Sequence, residues 1–390
     1  MPKVNPDIQT SARITVVGLG GSGKNAVNHM INSDVSDVEF ICMNTDVQDL
    51  HNSLAEKKIH IGRNLTKGRG TGMNPEIGRQ SADETQAEIQ EALKGSDLLF
   101  IACGMGGGTG TGSAPVVARV AKEQDILTIA VVTKPFFFEG DRRQAIAQEG
   151  LEKLEKEVDA VIVIPNDRLL DVAGEDTSFK DTFAMCDEVL RQAVEGISEL
   201  ITTPGIINID FADIKAILSN AGSAFMGIGS GTGDKRAEDA ALQAINSPLL
   251  DLSMRGAKGV LFSISGGDDL TMMEVQTIAK IITESIDADA KVIFGTIKDQ
   301  KLKKGEIKVT VIATGFEPQH NTASKKSLFE SQKETKKQSV FDDEQPRARK
   351  EITEKKSDEK PAKKVEVIDD DNPDDWSAVP AFLRRNNDKK

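Results

Sequence analysis

The spacing of apolar and polar positions divides this 390-residue chain into three regions. From residue 13 to about 175, short apolar runs alternate with helical stretches, which is typical of a doubly wound, mostly parallel sheet covered by helices on both faces. A sheet of this kind binds ligands beyond the carboxyl ends of its strands. We predict six strands in this region: Arg13–Val17, Val38–Met43, Lys58–Ile61, Leu98–Cys103, Leu127–Thr133 and Ala160–Ile164.

A long helix and a second unit follow. Between Ser178 and Thr203 apolar residues recur at steps of three and four, and Pro204 with Gly205 ends the pattern. Residues 206–316 have few helices between their strands and end in two strands, so we expect an α+β unit. Its helices are predicted near Ala212–Leu218, Lys235–Ile245 and Thr271–Ile286, and its strands at Ala224–Gly229, Gly259–Ser265, Val292–Ile297 and Glu306–Thr314.

The composition becomes polar and charged after Phe316, with too few apolar side chains to offset the entropy of ordering. We expect a disordered linker over residues 317–373 and a partner-binding peptide at 374–390, where apolar side chains reappear. Composition alone slightly favours an unstructured end with chance hydrophobic residues. The other predicted parts are a flexible extension at 1–12, domains at 13–177 and 206–316, and the central helix at 178–203.

Charge and cysteine content limit the possible partners, location and kinds of site. A net charge of -13 and a pI near 5.0 argue against a nucleic-acid partner. No apolar run is long enough to span a membrane and the first residues lack the apolar core of a signal peptide, so we expect a cytoplasmic protein. Cys42, Cys103 and Cys186 lie far apart and away from the histidines, which favours reduced, buried thiols over a metal site.

The first glycine-rich segment, Gly18–Asn25, follows a predicted strand and leaves three interpretations open. It nearly matches the P-loop GxxxxGK[ST], but Asn25 has no hydroxyl to give to magnesium. It also contains GxGxxG, and a dinucleotide fold needs a carboxylate about twenty residues further on, for which Asp46 is a candidate. A purely structural turn is the third interpretation.

The second glycine-rich segment, Gly104–Gly112, indicates phosphate binding more strongly. Closely spaced glycines permit positive φ and turn successive N–H groups inward as an anion-binding nest. We predict that Ser113 caps a helix over Ala114–Lys122, with Pro115 in its first turn and its dipole facing the same anion. A flexible linker is the alternative, but linkers do not begin at a buried strand and end at a capped helix.

Two further features suggest a nucleotide. The glycine-bearing segment Gly68–Pro75 begins another helix, and two such loops could enclose a triphosphate. Phe183 and Asp187 lie four residues apart on the long helix and share a face. A ring can cover a base, and a carboxylate accepts hydrogen bonds from guanine N1 and N2 but not from adenine N1. Spacing alone nevertheless favours core packing for Phe183 and a solvated Asp187.

Together these segments resemble the FtsZ family, the tubulin-like GTPases that form the bacterial division ring. The resemblance covers roughly residues 13–316 and the terminal peptide. It implies an α/β GTPase domain, a long central helix, an α+β domain carrying the catalytic loop, and a disordered tail. Its most specific motifs are Gly106–Gly112, Asn74–Gly78, Pro165–Leu170, Asn208–Asp213 and Pro380–Arg385.

The resemblance implies a GTP or GDP site, with Mg²⁺ held mainly through the nucleotide phosphates and no protein metal-ligand set. Ser22 and Lys24 depart from the usual family pattern, and Lys24 either contacts a phosphate or points to solvent. The nucleotide-binding residues that the resemblance implies are Gly20, Gly21, Ser22, Gly23, Lys24, Asn25, Gly70, Gly72, Gly104, Gly106, Gly107, Gly108, Thr109, Gly110, Thr133, Pro135, Glu139, Arg143, Asn166, Phe183 and Asp187.

The resemblance also assigns a catalytic role to Asn208, Asp210 and Asp213, whose loop would enter the nucleotide pocket of the next subunit in a head-to-tail filament. There two carboxylates would polarise water and hold the magnesium shell. Without the resemblance, Asp210 is an N-cap and Asp213 a first-turn acid. The segment Trp376–Arg385 would recruit membrane-anchoring and regulatory division proteins at mid-cell.

Two other functions stay open. A Rossmann-type oxidoreductase would explain Gly18–Asn25 but leaves Gly104–Gly112 and Asn208–Asp213 without a role. A GTP-binding filament protein with negligible hydrolysis fits the same residues as an active GTPase, and the sequence does not separate the two.

Overall fold

All ten predicted strands form, with bounds that differ from the predicted ones by at most three residues. The computed structural model describes residues 12–172, 177–247, 254, 256–299 and 302–316. Its strands are β1 Ile14–Leu19, β2 Val38–Asn44, β3 Lys57–His60, β4 Leu98–Gly104, β5 Leu127–Lys134, β6 Ala160–Pro165, β7 Gly222–Thr232, β8 Gly259–Gly266, β9 Lys291–Lys298 and β10 Glu306–Thr314.

Twelve α-helices and one 3-10 turn, Phe137–Glu139, connect the strands within these ranges. The long helix begins after Ser178, whose hydroxyl accepts a hydrogen bond from the Asp181 N–H and caps the helix. The helices are α1 Gly20–Asn32, α2 Val47–His51, α3 Arg63–Thr66, α4 Pro75–Glu84, α5 Gln86–Leu93, α6 Thr109–Lys122, α7 Asp141–Leu154, α8 Asn166–Val172, α9 Phe179–Thr202, α10 Phe211–Leu218, α11 Arg236–Ile245 and α12 Met272–Glu284.

The strands form one sheet in the order β3-β2-β1-β4-β5-β6-β7-β10-β8-β9. Strands β1 to β6 are parallel, as predicted. Strand β7 joins β6 in parallel, β10 runs antiparallel to β7 and β8, and β9 is parallel to β8, which gives the second unit its α+β character. The chain winds outward in opposite directions from β1 and β4, so a crevice opens between their carboxyl ends.

Side chains alternate between the two faces of the parallel part of the sheet. In β1, Ile14 and Val16 join the cluster under α1 and α9, whereas Val17 and Leu19 join the cluster under α5, α6 and α7. A third cluster lies between β8, β10 and the helices α11 and α12. Continuous apolar strands predict this double coverage, because each face of the strand needs an apolar partner.

The predicted domain boundaries at 177, 203 and 206 stay predictions, and the sheet continues past them through the β6–β7 pairing. The linker at 317–373 and the terminal peptide at 374–390 lie outside the described residues, as do residues 1–11. None of the helices in the described ranges combines the length and apolarity needed to cross a membrane.

Candidate functional site

An open cleft of about 280 Å³ lies at the carboxyl ends of β1, β4, β5 and β6, beside the point where the strand order reverses. The glycine-rich segments meet there, as the rule for parallel sheets predicts. The cleft brings together fourteen of the predicted binding residues: Gly20, Gly21, Ser22, Gly104, Gly107, Gly108, Thr109, Gly110, Thr133, Pro135, Glu139, Arg143, Asn166 and Phe183.

The three glycine-rich segments pack backbone against backbone around the cleft. Gly20 has a φ of +69°, and a Cβ there would lie 3.3 Å from the Gly110 nitrogen. A Cβ at Gly108 would overlap the Thr71 hydroxyl of the third segment. Glycine is therefore required at these positions for close approach and not only for flexibility.

Two helices begin at the cleft, and their first N–H groups have no partner within their own helix. Helix α1 starts at Gly20 and α6 starts at Thr109, and the first residues of both helices line the cleft. The positive ends of both helix dipoles therefore point to one place, which suits a phosphate group.

The start of α6 corrects one prediction. The helix begins at Thr109 rather than Ala114, so Ser113 is not its cap, and Pro115 lies inside the helix. The Ser113 hydroxyl donates to the Thr109 carbonyl at 2.7 Å. Glycines interrupt an ordinary helix, but here Gly112 lets α6 approach α4 so closely that a Cβ would overlap the Pro75 carbonyl.

Two buried polar atoms that belong to cleft-lining residues lack hydrogen-bond partners among the described residues. They are Asn166 Oδ1, an acceptor, and Arg143 Nε, a donor. The rest of the Arg143 guanidinium is held by Glu139, with Nη1 to Oε2 at 2.7 Å. Buried polar groups are seldom left unpaired, because each costs about 1–3 kcal/mol. A polar ligand in the cleft could satisfy both atoms, which fits a nucleotide.

Phe183 lines the cleft and belongs to an aromatic cluster behind it. Phe183 of α9 is 38% exposed, and its ring meets the fully buried Phe136 edge-on with centroids 5.3 Å apart. Asp187 lies one turn further along α9 and does not line the cleft. Burial raises the pKa of the Asp187 carboxyl to about 6, against the opposing charges of His29 and Lys24. His29 and Lys24 both lie on α1, so the Asp187 side chain faces α1 from α9.

Seven predicted residues lie outside the cleft lining: Gly23, Lys24, Asn25, Gly70, Gly72, Gly106 and Asp187. Gly23 lets α1 pack closely against β4, because a Cβ there would overlap the Ala102 carbonyl. Lys24 neither faces the cleft nor points to solvent; its ammonium bonds to Asp49 at 2.7 Å. The sequence prediction missed Leu19, Thr71 and Met105, which line the cleft. The position of Thr71 inside a glycine-rich segment is the one signal that could have found it.

The predicted catalytic loop lies far from the cleft of its own chain. Asp210 caps α10 by accepting a hydrogen bond from the Asp213 N–H at 2.8 Å, and Asn208 Oδ1 accepts from the Gly205 N–H at 2.7 Å. The loop is fixed to β9, since Ile207 and Thr296 exchange two hydrogen bonds. From Phe183, at the cleft, α9 runs about 28 Å to its end at Thr202.

Comparisons with known proteins match this geometry. Residues 13–174 match the model of the Tubulin/FtsZ family GTPase domain, and residues 222–317 match the FtsZ family C-terminal domain. A solved structure of FtsZ from M. jannaschii, described as an empty dimer, is 44% identical to this chain, with a TM-score of 0.75. The match covers 79% of this chain and 89% of that one. The chain belongs to the FtsZ family.

Other structures agree with this assignment. A mutant of M. jannaschii FtsZ matches with 44% identity and a TM-score of 0.75, over 79% of this chain and 92% of that chain. CetZ2 from Haloferax volcanii, described as a GTPγS-bound protofilament, matches with 23% identity and a TM-score of 0.68, over 78% of this chain and 94% of that chain. At that identity the likeness shows the fold alone.

As an FtsZ-family protein the chain is a GTPase that binds GTP and GDP and hydrolyses GTP to GDP and phosphate. Neither the oxidoreductase nor the protein without hydrolysis is therefore retained. Asp46, the candidate ribose ligand of a dinucleotide fold, instead caps α2 by accepting hydrogen bonds from the Gln48 and Asp49 N–H groups.

Proposed function

We propose that this GTPase polymerises head-to-tail and that each active site is shared by two copies. The cleft of one subunit would hold GTP, with its phosphates at the N-termini of α1 and α6, its ribose near Glu139 and Arg143, and its guanine near Asn166, Phe183 and Asp187. The loop Asn208–Asp213 of the next subunit would complete the site.

The observation that carries this proposal is the separation between the cleft and the acidic loop. Glu139 is the one carboxylate among the described residues that line the cleft, and both its oxygens are engaged, by Arg143 and by the Phe136 N–H at 2.9 Å. Asp210 and Asp213 lie beyond the far end of α9, and the loop that precedes them is held to β9 through Ile207. A free carboxylate for water activation would therefore come from another copy of the chain.

The chemistry requires little beyond positioning and charge stabilisation. The free N–H groups of α1 and α6 would stabilise negative charge on the γ-phosphate, and Asp213 would orient the attacking water. Mg²⁺, when bound, would neutralise phosphate charge. As the family resemblance implies, Mg²⁺ would be held mainly through the phosphates.

Family membership also supports a proposed cellular role. We expect the filaments to form the bacterial cell-division ring in the cytoplasm at mid-cell. The segment Trp376–Arg385, outside the described residues, would recruit membrane-linked division proteins, which is supported by an apolar peptide at the end of a long polar linker.

Mixing two inactive variants tests the shared site. Asp213→Ala keeps the cleft intact, and Asn166→Ala keeps the acidic loop intact. Each alone should hydrolyse GTP slowly. In an equimolar mixture about a quarter of head-to-tail joints pair an intact cleft with an intact loop, so activity should recover towards about a quarter of the wild-type rate.

Two outcomes would contradict the shared site. One is no recovery in a mixture that copolymerises in a pelleting assay. The other is wild-type GTP turnover per molecule that does not change with protein concentration, since a site completed by assembly needs a threshold concentration.

A further inference from the structure

Lys24 lies in the first turns of α1 but is directed away from the cleft. Its side chain is 11% exposed, and its ammonium lies 2.7 Å from Asp49 Oδ1 on α2. A lysine at the start of a phosphate-binding helix would ordinarily be expected to reach a phosphate. Here the charge is already paired.

The Asp49 carboxylate connects three parts of the site. Its Oδ1 accepts from Lys24, and its Oδ2 accepts from Asn44 Nδ2, at the end of β2, at 2.8 Å. A Cβ at Gly21, which lines the cleft, would lie 3.5 Å from the same Oδ2. The carboxylate therefore lies directly behind a residue that would face the phosphates.

A negative charge in this position would weaken nucleotide binding unless it is neutralised. Two like charges a few ångströms apart repel, and the Asp49 side chain is 31% exposed, so water screens its charge only in part. Without Lys24, the Asp49 carboxylate would oppose the arrival of phosphates at Gly21. With Lys24 the carboxylate can still hold Asn44 and fix α2 against α1, while the pair contributes little net charge.

We propose that Lys24 is a positioning residue for nucleotide binding, which neutralises and orients Asp49 behind Gly21 and does not bind phosphate itself. This inference rests on the proposed placement of the nucleotide in the cleft. It implies that the loss of nucleotide affinity in a variant without Lys24 comes from the Asp49 charge. Removing the Asp49 charge as well should therefore restore most of the affinity.

The test compares the GDP dissociation constant of the wild-type chain with those of Lys24→Met, Asp49→Asn and the double variant, all at full length. The measurements are made at pH 8, where Asp187 is ionised. Lys24→Met should weaken binding about tenfold at low salt, and the defect should shrink as salt screens the Asp49 charge. The double variant should bind within about threefold of wild type, since its Asp49→Asn substitution leaves no charge there to repel phosphate. Lys24→Gln, which keeps a polar group, should behave like Lys24→Met.

Two results would overturn the proposal. If the double variant binds GDP as weakly as Lys24→Met, then the loss of affinity does not come from the Asp49 charge. If Lys24→Met and Lys24→Gln both bind like wild type, the pair has no role in binding. Lys94→Met, which removes an exposed lysine 3.8 Å from Glu91, is the matched control and should change nothing. Urea denaturation of each variant separates lost affinity from lost stability.

A failure of the proposed nucleotide site gives a different result. Asn166→Ala removes a cleft residue far from the Lys24–Asp49 pair in sequence, and it should weaken GDP binding whatever Lys24 does. Wild-type affinity in Asn166→Ala would place the nucleotide elsewhere. Weak binding in Asn166→Ala together with normal binding in the Lys24 variants would overturn only the present inference.

Discussion

Recognition of guanine by Asp187, which is part of the proposed function, would make nucleotide binding dependent on pH. Burial raises the pKa of the Asp187 carboxyl to about 6, with His29 and Lys24 acting in the opposite direction. Only the ionised carboxylate accepts hydrogen bonds from both guanine donors, so bound guanine should lower this pKa. The contribution to affinity is then fully present well above pH 6 and is lost progressively as the pH falls through about 6.

The size of the effect follows from the shifted pKa. With a pKa of about 6 in the free protein and a carboxyl that stays ionised in the complex, the ionised fraction before binding falls from about 0.9 at pH 7 to about 0.1 at pH 5. GDP affinity should therefore fall about tenfold over this range, or about 1.4 kcal/mol. A carboxyl with the ordinary pKa of about 3.9 would change it by less than about 1.1-fold.

Calorimetric titration with GDP at several pH values measures this dependence, at protein concentrations below the assembly threshold. Asp187→Asn is the matched control, because it keeps the shape of the side chain and cannot titrate. Protonation of the GDP phosphates affects both proteins equally, so the difference between their profiles isolates Asp187. Parallel profiles from pH 7 to pH 5 would refute the role of Asp187 in guanine binding.

Three further predictions concern packing, capping and the tail. Gly112→Ala should lower the free energy of unfolding in urea by roughly 1–3 kcal/mol, because the new Cβ would overlap the Pro75 carbonyl. Gly107→Ala, with open space at that point, should stay within about 0.5 kcal/mol, and equal losses would contradict the packing argument. Asp210→Ala should cost about 1 kcal/mol through loss of the α10 cap, whereas Asp210→Asn keeps the cap, and both should slow hydrolysis. Normal turnover in Asp210→Asn would remove its catalytic role. Trp376, the single tryptophan, should show solvated emission that shifts when a partner binds, and buried emission in the free protein would contradict a partner-binding tail.

The strands and the position of the cleft could be predicted from the sequence because both depend on local patterns. Runs such as Leu98–Gly104 are apolar at successive positions, which is typical of a strand covered on both faces. Parallel strands then bring the loops that follow them to one edge of the sheet, so glycine-rich segments far apart in sequence meet there. Fourteen residues assigned by family resemblance accordingly line one cleft.

The start of α6 and the partner of Lys24 could not be predicted, because both depend on contacts between distant segments. Gly110 and Gly112 have the composition of a loop, yet α6 continues through them, with Gly112 packed against α4 and Gly110 against the ends of β1 and β4. Lys24 matches the position of a phosphate-binding lysine, and only the approach of α2 gives it Asp49 as a nearer partner. A local pattern gives the possible roles of such residues, and tertiary packing selects among them.

Asp210 illustrates why a capping role does not exclude a catalytic one. Its Oδ1 caps α10, which is sufficient to explain an aspartate at that position, and the sequence favours that explanation. A second role is suggested by the cleft and not by Asp210. The lining includes one carboxylate, which is already engaged on both oxygens, at the site proposed to hydrolyse GTP. Because α9 and the contacts with β9 keep Asp210 away from the cleft of its own chain, an acid from this loop can reach a cleft only on another subunit. If GTP hydrolysis needs such an acid, catalysis requires assembly. The capping role belongs to Asp210 Oδ1, so the catalytic role would belong to the other Asp210 oxygen or to another residue of the same loop.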